Sequence, residues 1–230
     1  MTASVEQNFN KGAKIPPLES GDRLTHQEFE RRYHAMPDTK KAELIEGVVY
    51  VASPLCFERH AEPHSLLIVV FGTYRIMTPG VRIGDNATVR LDLDNELQPD
   101  VVLLIDENLG GQARISQDDY IEGAPELIAE VAASSAANDL HDKKKVYRRN
   151  GIKEYIVWRI LENQLDWFCL ENGEYRALEP DINNIIKSRV FPGLWLDVQA
   201  LRTGEMTKVL AVLQQELSSE EHVEFVQSLA

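Results

Sequence analysis

Apolar residues follow two rhythms along this chain, and the change from one to the other marks out the elements. Continuous runs dominate the middle: Val101-Val102-Leu103-Leu104-Ile105, then Leu127-Ile128-Ala129 and Val131-Ala132 around Glu130, then Tyr155-Ile156-Val157-Trp158. Short runs of this kind read as strands buried on both faces. Ala42 to Ala52 mixes alternation with β-branched residues and holds one glycine, which predicts a strand, or a hairpin turning at Glu46-Gly47, with Glu43 near its start. Val81 to Leu93 alternates more weakly, as one strand or a pair with a turn at Gly84-Asp85-Asn86, and residues 164 to 178 predict a hairpin about Asn172-Gly173. Phe191 to Leu196 reads as an edge strand or turn.

Helical spacing takes over elsewhere. Thr25-His26-Gln27-Glu28 has the spacing of a capping box, and Phe29, Tyr33 and Met36 recur at helical intervals until Pro37 stops the pattern. Residues 64 to 78 predict a helix. Asn138-Asp139 read as the cap of a basic helix that ends at Asn150-Gly151. Because that helix lies between the Glu130 and Tyr155 strands, a crossover connection joins them. From Gly204 onward the pattern is helical, and Met206, Val209, Leu210, Leu213 and Leu217 form a stripe that needs a partner surface in the same chain or another.

With 230 residues, 43% of them hydrophobic, the chain can bury one sizeable core but not two well-built domains. The expected organisation is a polar tail at 1–21 carrying Pro16-Pro17, a main domain at 22–200, and a helical extension at 201–230. Strands interleaved with helices place it in the α/β class, of mixed α+β character. Cys56 and Cys169 form no CxxC pattern, so neither a disulfide framework nor a cysteine-based zinc site is indicated. No run approaches the roughly 18 apolar residues that span a bilayer, and Met1 to Lys14 has no apolar signal segment. A cytoplasmic protein with no membrane partner is expected.

The net charge of -13 argues against a protein that coats nucleic acid through bulk electrostatics. Its distribution is uneven. Residues 92 to 126 hold ten acids against Arg114 alone, whereas Lys143-Lys144-Lys145-Val146-Tyr147-Arg148-Arg149 packs five bases into seven positions. Taken alone, such a charge run is a solvated helix face. Leu140 and Tyr147 share one side of that helix, and Lys143 and Lys144 fall on the same inward side.

Asp100 opens one of the buried runs after Gln98-Pro99, and Glu130 stands inside another. A carboxylate there costs several kcal/mol or shifts its pKa unless a cation or hydrogen-bond donors compensate. Two such carboxylates, with Glu43 and Lys143, suggest a metal site. His60 and His64 lie four apart, but Pro63 disfavours a regular helix across them and no third soft ligand is evident for zinc. Gly110-Gly111 lacks the frame of a phosphate loop, and Trp158, Trp167 and Trp195 read as packing residues.

The ordered motifs E-L-I-E-G at Glu43 to Gly47, Ser53-Pro54 followed by His60, Q-P-D at Gln98 to Asp100 and G-A-P-E-L-I-A-E-V at Gly123 to Val131 carry a resemblance. It continues through Asp139-Leu140-His141-Asp142-Lys143, Tyr147 and Asn150 to Tyr155. The chain resembles, over roughly residues 25 to 200, the Uma-two family of restriction-endonuclease-like proteins in the PD-(D/E)XK nuclease superfamily. The resemblance implies a central mixed sheet flanked by helices, with Asp100 and Glu130 as the paired acids. The expected lysine two residues after Glu130 is replaced by Ala132, and Lys143 on the following helix matches the family's alternative position. Glu43 matches the acidic residue that often completes the metal site, and His60 falls where the family often has a histidine of open role.

The activity implied by that resemblance is metal-dependent hydrolysis of phosphodiester bonds in double-stranded DNA. Mg²⁺ or Mn²⁺ takes oxygen ligands and needs few carboxylates beside substrate phosphate, so Asp100, Glu130 and Glu43 suffice as metal ligands. Lys143 would hold the attacking water or offset charge in the transition state, while Lys144, Lys145, Arg148 and Arg149 contact flanking phosphates. A homodimer is expected because two strands need two sites. Two other readings stand beside it. One is a catalytically silent binding or assembly module on the nuclease fold, which the acidic charge favours; the other is a hydrolase of small phosphate esters.

Overall fold

The computed structural model describes residues 14–39, 41–52, 54–133 and 136–229. Most of the expected tail at 1–21, namely 1–13, and Ser53 from the expected motifs lie outside the described residues. Helix α1 (His26–His34) starts at Thr25, whose Oγ1 accepts from the Glu28 amide at 3.3 Å, as the capping-box spacing requires. Strands β1 (Ala42–Ile45) and β2 (Val48–Val51) form the expected hairpin. Its turn residues Glu46 and Gly47 both take positive φ, 49° and 73°, which matches the strands' own twist.

A π-helical turn at Phe57–Ala61 leads into α2 (Glu62–Met77). Pro63 interrupts the regular pattern here without ending the helix: it stands where the π-helical turn passes into α2. Strands β3 (Val81–Asp85), β4 (Val89–Asp92), β5 (Asn95–Leu97) and β6 (Val101–Ile105) come next, then the short β7 (Arg114–Ile115) and β8 (Ile121–Glu122), then β9 (Leu127–Ala132). The basic helix comprises α3 (Ala136–Asn138), a second π-helical turn at Asp139–Lys143, and α4 (Lys144–Asn150), closed by Gly151 at φ 83°. Strands β10 (Glu154–Arg159), β11 (Gln164–Glu171), β12 (Glu174–Ala177), β13 (Ile185–Lys187) and β14 (Trp195–Asp197) precede helices α5 (Val198–Arg202), α6 (Met206–Glu216) and α7 (Glu220–Ser228).

Two six-stranded mixed sheets organise these elements. The central one runs β12-β11-β10-β9-β6-β3, with β9 and β10 parallel through the crossover helix and the other neighbours antiparallel. The other runs β2-β1-β5-β4-β8-β7. Alternation along β9 sends Leu127, Ala129 and Val131 into one core, shared with Leu67, Val70 and Phe71 of α2. Ile128 and Ala132 enter a second core with Val146 and Tyr147 of α4. Glu130 points to this second face.

Two sequence expectations change, and a third, left open between this chain and another, is decided. The segment 81–93 yields two strands, but not a hairpin: β3 pairs along its length with β6, while β4 pairs with β5 and β8 in the other sheet. Asn138-Asp139 do not cap the basic helix. The chain is already helical at Ala136, and Asp139 instead directs its carboxylate to Lys143 at 3.5 Å. The C-terminal stripe finds its cover in this chain: Val209, Leu213 and Leu217 join the α2 core, each burial contributing about 1.5–3 kcal/mol. That stripe therefore does not call for a second copy.

Candidate active site

Glu43, Asp100, Glu130 and Lys143 are all buried, and different elements carry them to one place. Glu130 stands in the middle of β9, beside Val157 of β10. Asp100 precedes β6, where Pro99 removes an amide from the ladder; its carboxylate turns back to accept from Val131 N on β9 at 2.8 Å. Glu43 is the second residue of β1. Lys143 ends the π-helical turn, which holds one more residue than an α turn and so changes the phase of the side chains beyond it. Lys143 faces inward, whereas Lys144 lies over the Phe168 ring with Nζ 3.4 Å from its centre.

The Lys143 ammonium sits between carboxylates, with Nζ 2.9 Å from Glu130 Oε1, 3.1 Å from Glu43 Oε2 and 3.5 Å from Asp139 Oδ1. Tyr147 Oη donates to the same Glu130 oxygen at 3.0 Å. Glu43 Oε1 also accepts from Gln98 N at 2.9 Å, tying β1 to the segment that presents Asp100. Around Asp100, His60 Nε2 lies 3.2 Å from Oδ2 and Lys41 Nζ 3.4 Å from Oδ1. His64 Nε2 meets the Asp100 carbonyl at 3.0 Å and Asp85 Oδ1 at 3.1 Å.

These surroundings drive the two acids apart. Burial pushes the Asp100 carboxyl up, but the His60 hydrogen bond, the Lys41 charge and the Val131 amide together outweigh it and hold it well below the usual carboxylate range. For Glu130, burial prevails; Lys143 opposes it, Asp100 and Asp139 reinforce it, and the carboxyl is pushed up to about 8. Burial pushes the Lys143 pKa down, yet Glu130, Glu43 and Asp139 outweigh it and raise it well above the ordinary lysine value, so it remains an ammonium. One acid is held ionised and its neighbour is poised to gain or lose a proton.

Asp100, Glu130, Asp139 and Lys143 reach a partly open cavity of about 300 Å³, walled further by Lys41, Arg59, His60, Leu55 and Leu161. Glu43 stands behind Lys143 and is not part of its lining. Lys144, Lys145, Arg148 and Arg149 do not line it either. Lys145 and Arg149 pair with Glu46 at 3.2 and 2.7 Å, and Arg148 pairs with Glu174 at 2.9 Å. The cations at the cavity are Lys41, Arg59 and Lys143. Nothing in the sequence around Lys41 or Arg59 marked them, and Asp139 was read there as a helix cap and as part of the family motif, not as a wall of the site.

Among the described residues, one trio of His, Asp or Glu presents a ligand atom each within 4.8 Å: His26, Glu30 and Glu96. Arg90 already lies among these, 2.5 Å from Glu30 and 3.3 Å from Glu96, and supplies the positive charge that an ion would bring. Glu43, Asp100 and Glu130 are spread more widely, with the Lys143 ammonium between Glu43 and Glu130.

Among solved structures, the chain is similar to a crystal structure described as a putative nuclease belonging to DUF820 from Anabaena variabilis ATCC 29413. The TM-score is 0.58 at 16% identity, covering 78% of this chain and 98% of that one, so the likeness is one of fold. No curated protein matches. Among the described residues no helix is long and apolar enough to cross a membrane. The family model Uma2, described as "Putative restriction endonuclease", matches residues 26–199, a span that takes in every charged residue of the cavity. The chain belongs to the Uma2 family.

Proposed function

We propose that this chain is a metal-dependent nuclease that hydrolyses phosphodiester bonds in DNA, with Mg²⁺ or Mn²⁺ held by Asp100 and Glu130. The observation that carries the reading is the meeting of Asp100, Glu130 and Lys143 at one cavity. Their donor set fits a hard cation, since the available ligands are carboxylate oxygens. The charge balance fits as well: Asp100, Glu130, Asp139 and Glu43 face the ammoniums of Lys41 and Lys143. A divalent ion bound there supplies a Lewis acid for the phosphate and an acidified water.

The chain's own residues divide the remaining work. Lys143 stays protonated, so it serves as a fixed cation that offsets charge accumulating on the phosphoryl oxygens, not as a base. Glu43 and Asp139 position its ammonium. Lys41 and Arg59, the other cations of the cavity lining, hold the incoming phosphate, and Lys144, Lys145, Arg148 and Arg149 keep the flanking-phosphate contacts expected of them. The net reaction consumes one water and breaks one P–O ester bond.

The test is conversion of supercoiled plasmid with Mg²⁺ or Mn²⁺ by wild type, Asp100→Ala and Lys143→Ala proteins. Nicking by wild type alone is expected. Equal nicking by all three preparations assigns the activity to a contaminant and contradicts the proposal, as does no nicking by wild type.

A further inference from the structure

We infer, on top of that reading, that the site takes an unpaired DNA strand and not an intact duplex. The cavity's volume of about 300 Å³ sits at the floor of the range for small-ligand pockets, about 300–1,000 Å³, which is room on the order of one nucleotide. The acids that must meet the phosphate are deep within it: Asp100 is 2% exposed and Glu130 3%. A phosphate on the convex flank of a duplex is held to its neighbours by stacking, so bringing it to a buried floor costs deformation of the duplex. A phosphate in a flexible strand reaches it without that cost.

The mouth has the chemistry such a strand requires. Leu55 and Leu161 line the cavity yet remain 61% and 60% exposed, apolar surfaces left in water on two sides of a charged floor. Phe57, next to the lining residue Cys56 at the start of the first π-helical turn, is 70% exposed. Leu55 and Leu161 share the lining with the cations Lys41 and Arg59, and Phe57 stands one residue beyond it, so apolar surface for unpaired bases lies close to phosphate contacts, the pairing by which unpaired strands are bound. In a duplex the base faces are already stacked on one another and offer nothing to Phe57, Leu55 or Leu161.

The experiment measures Mn²⁺-dependent cleavage of a circular single strand, a relaxed duplex circle and a duplex with a six-nucleotide bubble. It runs beside fluorescence anisotropy of labelled single-stranded and duplex oligonucleotides in Ca²⁺. Wild type, Phe57→Ala, Leu161→Ala and Asp100→Ala are compared. The single strand and the bubble are expected to be cut at least about tenfold faster than the duplex, and Phe57→Ala to weaken single-strand binding about 5- to 100-fold, the loss of one stacked base. Equal cutting of single strand and duplex by wild type, with Asp100→Ala inactive, overturns this inference and leaves the nuclease reading standing. No cutting of any substrate overturns both. If Phe57→Ala and Leu161→Ala leave strand binding unchanged but turn a dimer into a monomer in sedimentation, the apolar rim belongs to self-association and the inference fails.

Discussion

Glu130 and Glu154 sit on neighbouring parallel strands of the same sheet, both buried, but they face opposite sides and have opposite kinds of partner. Glu154 accepts from Trp167 Nε1 at 3.1 Å, Ser188 Oγ at 2.8 Å, Arg189 N at 2.6 Å and Val190 N at 3.2 Å. Those donors are fixed in the fold, and the carboxylate staples the 188–190 loop to the strand. Glu130 instead meets a lysine ammonium and a tyrosine hydroxyl at a cavity wall. A buried acid saturated by neutral donors is structural; one balanced by a cation beside a cavity is available for chemistry.

Substitutions separate the two most strongly. Glu130→Gln is expected to lower DNA cleavage at least about 100-fold, the scale for losing a preorganised charged group, while the protein stays folded. Glu154→Gln should leave cleavage per folded molecule nearly unchanged and destabilise the protein by about 1–3 kcal/mol, because an amide cannot accept from all four donors. Denaturant midpoints and plasmid nicking, measured on both variants, check this. Equal loss of activity in the two breaks the comparison.

A smaller effect concerns pH. Because the folded protein holds the Glu130 proton more tightly than the unfolded chain does, this group's contribution to stability is present below the ordinary carboxylate range and is lost as pH rises toward about 8. In EDTA, the melting temperature should fall between pH 5.5 and 8.5, and Glu130→Gln should flatten that slope. An unchanged slope in the variant contradicts the assignment. The smallest effect is expected at the basic face. Lys145→Ala and Arg149→Ala break exposed pairs with Glu46, so each should change stability by no more than about 1 kcal/mol by thermal melting.

Much of this was legible in the sequence. The continuous runs gave away β6, β9 and β10, and an acid inside each of the first two runs flagged Asp100 and Glu130 because water is so hard to replace around a carboxylate. Lys143 stood out less. Its inward side followed from its spacing to Leu140 and Tyr147, but the π-helical turn that separates it from Lys144 is one extra residue and leaves no trace in an apolar pattern. The other π-helical turn hides His60 in the same way, although each of the two turns carries a residue to the site. Short strands such as β5, β7 and β8 were missed because two or three residues set no periodicity. Lys41 and Arg59 were missed because a lone cation gains meaning only from what the fold sets beside it.

The most direct test is titration of the metal-free protein with Mn²⁺ by thermal melting. Specific binding at 100 times the dissociation constant adds about 2.7 kcal/mol of stability, so wild type and Glu154→Gln should both show a clear, saturable rise in melting temperature. Glu130→Gln and Asp100→Ala should show none. A rise of the same size in all four proteins would contradict the assignment of Asp100 and Glu130 as the metal-binding pair.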